Sequence, residues 1–231
     1  MIIWLASYPR SGNTALRTIL FKAFGVHTYS LYDDKSAIGS RPALRAAVGH
    51  ISHGLDQEEF YARATSDEKL YFVKTHDAPR DKAKAMYVVR DGRASAVSYF
   101  HYLKNFARQH NAHPSLTDVM RGRCPYGSWS EHFEAWAPTQ RPDTLLINYS
   151  DIVAAPGQVV ASVAKFTGLD VVSQDIPSFE ELRKADAEFF RSGSDKNNIA
   201  EMQATEAALF WSLHGDLMKR LGYVDVSPAP L

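Results

Sequence analysis

The sequence predicts an α/β fold: a single domain over residues 1–231, with a central parallel sheet flanked by helices on both faces. Three observations carry this. Short apolar runs alternate with helix-period stretches, the pattern of strand–helix–strand units whose sheet is covered on both sides. Each run is followed at once by polar or cationic residues, the edge where open α/β sheets bind ligands. A length of 231 residues with 45% hydrophobic content is enough for one sizeable core.

The first run, Ile2–Ala6, is too short and too bare of preceding basic residues for a signal peptide and reads as a buried strand. Asn13–Phe24 follows with helical spacing. Leu70–Val73, Ala85–Val89 and Thr144–Ile147 are the remaining strands, each rich in Val, Leu, Ile or Tyr and bounded by polar residues. Gly92–Phe106 begins behind Asp91, a good N-cap, and Trp129–Trp136 is a shorter helix. Pro156–Thr167 opens with proline at N1 and stops at Gly168. A long amphipathic helix is expected from about Ala200 to Leu221. The segments 27–67 and 107–126 show no register and are expected to be substrate-side loops or lids.

Lys and Arg number 26 against 26 Asp and Glu, so nothing global draws the chain to nucleic acid, and any anion site must come from local clustering. No stretch approaches the roughly 18 apolar residues of a membrane span. The lone Cys124 excludes an internal disulfide, and the expectation is a cytoplasmic protein. His50 and His53, like His110 and His113, have metal-like spacing but no obvious partner set, and no metal is expected.

The strand ends read Ser7-Tyr8-Pro9-Arg10-Ser11-Gly12-Asn13-Thr14, Lys74-Thr75-His76, Arg90-Asp91 and Asn148-Tyr149. Three cations and a histidine thus converge on one edge, which points to an anion site. The first loop departs from the nucleoside-triphosphate pattern G-x-x-x-x-G-K-[ST]. Gly12 and Thr14 fit, but Asn13 stands at the lysine and Ser7 at the first glycine. The turn and the helix start still suit a phosphate.

Taken together, these segments resemble the sulfotransferases that use 3′-phosphoadenosine 5′-phosphosulfate (PAPS). "SYPRSGNT" is similar to the family's Y-P-[KR]-[SA]-G-[TN]-T loop, and "FVKTHDAP" to its K-[TS]-H segment. "VVRDGRASAVSYFHY" supplies an Arg, Arg90, and a Ser eight positions on, Ser98. "YGSWSEHFEAW", "LLINYSDIVAAP", "PSFEELRKAD" and "FFRSG" resemble further landmarks, so that about two-thirds of the chain is covered. The resemblance implies a P-loop nucleotide-kinase-like fold, PAPS as donor, 3′,5′-bisphosphoadenosine (PAP) as product, and a small-molecule or natural-product hydroxyl as acceptor. It leaves a homo-oligomer open. It places Arg10, Ser11, Gly12, Asn13 and Thr14 at the 5′ end of the donor, and Arg90, Ser98, Arg191, Ser192 and Gly193 at its 3′-phosphate. Phe179 falls beside the adenine, Tyr149 is assigned to the donor site, and His76, Lys74 and Arg10 form the catalytic set. Two departures stand out: the family's common Trp after the loop is Ala15, and its R-K-G reads Arg191-Ser192-Gly193.

Sulfuryl transfer needs in-line positioning and cations where negative charge develops. Arg10 offers a two-pronged fork and Lys74 a second charge, while His76 is suited to take the acceptor's proton. An ATP-dependent small-molecule or nucleoside kinase, or a nucleotide-binding module without catalysis, remains open at this point.

Overall fold

The computed structural model describes residues 1–33, 41–106, 114–176, 180–181 and 195–224. A five-stranded sheet holds β1 (Ile2–Ser7), β2 (Thr28–Ser30), β3 (Tyr71–Thr75), β4 (Ala85–Val89) and β5 (Thr144–Asn148). Their order is β2-β3-β1-β4-β5, and every pairing is parallel. The α/β class expected from the alternation is therefore the observed one. β1 is central and all six of its residues are buried, which is why it reads as an unbroken apolar run. After β3 the chain passes over β1 to reach β4, so the order reverses around β1 and opens a crevice at its carboxyl end.

Alternation along the strands divides the core in two. Ile3, Leu5, Phe72, Met86 and Val88 face α1 (Asn13–Phe24), together with α7 (Tyr149–Ala154) and α8 (Pro156–Thr167). Trp4, Ala6, Val73, Tyr87 and Val89 face the other layer. That layer contains α3 (Gln57–Ser66), α4 (Gly92–Phe106), α5 (Leu116–Met120), α6 (Trp129–Trp136) and α10 (Ala204–Arg220). Asp91 caps α4 by accepting the Arg93 N–H at 2.9 Å. α4 and α6 approach so closely that a Cβ on Gly92 would lie 2.6 Å from the Trp129 ring.

The four expected strands are present, three of them extending one or two residues further at the carboxyl end. Lys74 consequently sits within β3, not after it. The segment 27–67 was expected to lack register, yet it contains β2, α2 (Pro42–Ala47) and α3. β2 is a three-residue edge strand with buried Thr28 and Ser30, too short and too polar to show a period. The last helix begins at Ala204, not Ala200, and α9 (Asp195–Ile199) precedes it. No described helix is long and apolar enough to cross a membrane.

Candidate active site

The loop after β1 is built to expose backbone donors. The Ser11 N–H reaches the Tyr8 carbonyl at 3.2 Å, and the Gly12 carbonyl accepts the Leu16 N–H at 3.1 Å, starting α1. α1 has no side-chain cap, so its first-turn N–H groups face the crevice as an anion-binding end. Gly12 is required twice over. Its φ of 112° disfavours any side chain, and a Cβ there would lie 2.5 Å from the Tyr149 ring. Arg10 also has positive φ, 64°, a conformation that costs an ordinary residue free energy and here aims its side chain across the crevice to α4.

Beside this loop lies a cluster of two arginines. Arg10 Nε donates to Ser98 Oγ at 3.3 Å, and its guanidinium lies 5.6 Å from the Tyr102 ring centre. Arg90, at the end of β4, donates from NH1 to the Arg10 carbonyl at 3.0 Å and from Nε to the Asp195 carboxylate at 2.6 Å. Its guanidinium stacks 4.5 Å over Tyr149. Burial pushes the Tyr149 phenol above its ordinary pKa, while Arg90 pulls it the other way.

Across the crevice, at the end of β3, His76 is tied at three points. Its Nδ1 lies 2.7 Å from the Ser7 carbonyl, its backbone N–H donates to Tyr32 Oη at 2.8 Å, and its carbonyl accepts from His132 Nε2 at 2.9 Å. A carbonyl can only accept, so Nδ1 carries the proton and the neutral ring has its lone pair on Nε2. The surroundings are aromatic: Tyr126 lies 5.5 Å and Tyr32 6.5 Å from the imidazole, ring centre to centre. Lys74 Nζ stands 5.0 Å from the centre of the Tyr32 ring.

Arg10, Arg90, Ser98 and Tyr149 thus meet in one cluster, and His76 and Lys74 occupy the neighbouring strand end. Thr14 lies in the first turn of α1, half-buried. Two side chains of the loop have partners within the protein. Ser11 is fully buried with its Oγ 3.1 Å from Ser95 Oγ, which ties the loop to α4. Asn13 Nδ2 donates to the Leu5 carbonyl at 2.8 Å and to Ser7 Oγ at 3.4 Å, folding back onto β1. Phe179, Arg191, Ser192 and Gly193 lie outside the described residues.

Sequence reasoning missed Tyr32, Ser95, His132 and Asp195. Only for His132 was a signal available. It shares the Trp129, Phe133, Trp136 face of α6, and a histidine on an apolar stripe must find buried partners. Among the described residues, no group of three or more His, Cys, Asp or Glu side chains could hold a metal ion.

The helix-flanked parallel sheet thus brings a glycine turn, two arginines and a tautomer-fixed histidine to one edge. The sulfotransferase domain profile matches residues 2–219, and the chain belongs to the sulfotransferase family. It is 28% identical to dog sulfotransferase 1A1 over 201 residues, 78% of this chain and 65% of that one. It is 23% identical to mouse sulfotransferase 1E1 over 160 residues, 64% of this chain and 52% of the other. The chain therefore spans between half and two-thirds of these curated relatives. Mouse sulfotransferase SULT7A1, solved with PAP, shares the fold at a TM-score of 0.68 and 20% identity, over 94% of this chain and 84% of that one. Retinol dehydratase, solved with androsterone and PAP, does so at 0.64 and 18%, over 98% and 83%.

Proposed function

We propose that this chain transfers a sulfuryl group from PAPS to the hydroxyl of a small molecule. The observation that carries the reading is one crevice holding both an arginine pair beside a phosphate-type turn and a histidine with its lone pair on Nε2. In this reading the first-turn N–H groups of α1, with Thr14, hold the 5′-phosphate. Arg10 and Lys74 place positive charge where the S–O bond breaks, an electrostatic demand close to that of phosphoryl transfer. Arg90 and Ser98 bind the 3′-phosphate, the group that separates this donor from ATP, joined by Arg191, Ser192 and Gly193. Phe179 flanks the adenine. His76 Nε2 takes the acceptor's proton as the hydroxyl oxygen attacks sulfur, and Arg10 offsets the charge left on the departing phosphate.

The acceptor lies on the His76 side, against Tyr32 and Tyr126, which favours a planar or apolar alcohol over a highly charged one. Retinol dehydratase, which shares the fold, has been solved with androsterone and with retinol, in keeping with this. A kinase reading is opposed by Asn13. It stands at the position of the phosphate-reaching lysine and its side chain turns back onto β1.

Two measurements test the proposal. Calorimetry with PAP and with Mg-ATP should give tight binding for PAP alone. Incubation with PAPS and a panel of phenols, sterols and aliphatic alcohols should give a product heavier by one sulfuryl group. Preference for Mg-ATP would refute the donor assignment, and PAP binding without turnover on any acceptor class would refute the catalytic one.

A further inference from the structure

We infer that His132 is a positioning residue for His76, fixing through the His76 carbonyl the stretch of backbone that carries the base. The inference rests on the reading of His76 as that base.

His76 follows the last residue of β3, and its carbonyl is met by α6. His132 Nε2 lies 2.9 Å from the His76 carbonyl, and one helical turn on, Trp136 Nε1 donates to the Asp77 carbonyl at 2.8 Å. Two side-chain N–H groups at i and i+4 of one helix thereby hold two successive carbonyls of the same turn. The protonation of His132 follows from its partners. The His76 carbonyl only accepts, so Nε2 carries the hydrogen, and Nδ1 accepts from Tyr87 Oη at 2.8 Å. Tyr87 lies on β4, fully buried, so the strand beside β1 orients the histidine that orients the base. His132 is itself buried, and burial pushes its pKa down to about 4, which keeps it neutral and able to hold this tautomer.

His76 is thus reached from three sides. β1 supplies the acceptor for Nδ1–H, Tyr32 receives the backbone N–H, and α6 closes on the carbonyl. The first contact selects the tautomer, and the other two hold the ring within reach of it, so that losing one of them also releases the tautomer. A general base depends on placement to a fraction of an ångström, so loss of the third contact acts on turnover and leaves the arginine cluster, on other strand ends, untouched.

The test compares His132→Leu, which removes the N–H, with His132→Gln, whose amide nitrogen reaches nearly the same point. His132→Leu should lower kcat roughly 10- to 100-fold at saturating donor, with PAP affinity within about twofold of the parent. His132→Gln should recover kcat to within about threefold, which a purely space-filling role would not. Nitrogen-15 NMR of the histidine side chains gives a readout independent of turnover. The parent should show His76 protonated at Nδ1, and His132→Leu should show a mixture of tautomers. Tyr87→Phe, which keeps the core volume, should have the same effects in weaker form and serves if the leucine variant does not fold. Unchanged kcat with an unchanged His76 tautomer in the leucine variant would overturn the inference. So would equal impairment by Leu and Gln, or a fall in PAP affinity that tracks kcat. If the parent shows no sulfuryl transfer on any acceptor, the proposed function fails, while the tautomer measurement still decides whether His132 positions His76.

Discussion

The two sides of the crevice are held in different ways. On one side, His76 is held by neutral partners: a carbonyl, a phenol and an imidazole. On the arginine side the contacts are to groups a ligand can replace: a hydroxyl for Arg10, a carbonyl and a partly exposed carboxylate for Arg90. Under the proposed function, the contrast follows from what each side must do. A base needs one tautomer in one place throughout, so its contacts are permanent. A cation that binds an anion must exchange partners, so its resting contacts have to be close in strength to those the ligand offers.

The comparison is tested hardest at His76. His76→Ala should lower kcat about 10²- to 10⁴-fold and leave the PAP dissociation constant nearly unchanged in calorimetry. Parallel loss of both would mean the two sides are not separable.

Acid exposes the permanence of the histidine side. His132 is neutral in the fold, with its pKa lowered to about 4, and burial lowers that of His214 as well. A lowered histidine pKa means that the unfolded chain binds more protons, so stability should fall as pH drops from about 6.5 towards 4, with His132 contributing about 3 kcal/mol across that span. Chemical denaturation at a series of pH values measures it, and His132→Leu should flatten this acid limb. An equally steep limb in the variant would assign the loss elsewhere.

The arginine side should show the opposite separation. Arg90→Ala is expected to weaken PAP about 10- to 100-fold, the worth of a lost charge-assisted contact, and to leave AMP, which lacks the 3′-phosphate, almost unaffected. Equal weakening of both nucleotides would move Arg90 to a different part of the donor. The smallest effect belongs to Asp195. Its carboxylate takes up Arg90 Nε, so Asp195→Asn should tighten PAP by a few-fold, in keeping with the modest worth of a partly exposed ion pair. Weaker binding in that variant would make the carboxylate an orienting partner of Arg90.

Much of this architecture was legible in the sequence because buried parallel strands announce themselves as apolar runs and their carboxyl ends carry the chemistry. β1 and β4 could be bounded to within a residue, and Arg10, His76 and Arg90 stood out as the first polar residues beyond them or close to it. β2 was invisible because three residues with two buried hydroxyls have no period. What locks the site was also hidden. Tyr32 reaches His76 from 44 positions upstream and His132 from 56 positions downstream, through backbone atoms that leave no pattern in a sequence. The side-chain contacts of Asn13 were hidden for a related reason. Its place in a phosphate-type loop suggested a ligand contact, whereas its amide nitrogen donates to the Leu5 carbonyl within β1.

The contact between Gly12 and Tyr149 also bears on how this family's sequences can drift. A methyl group at position 12 would land on the tyrosine ring, and the backbone there disfavours one in any case. Tyr149 can become smaller without consulting its neighbour, but Gly12 cannot grow even after Tyr149 has shrunk. The order in which mutations can accumulate is therefore one-directional. Related sequences should preserve the glycine across many different residues at the tyrosine position, and a side chain at position 12 would mark a lineage in which the turn itself has been rebuilt.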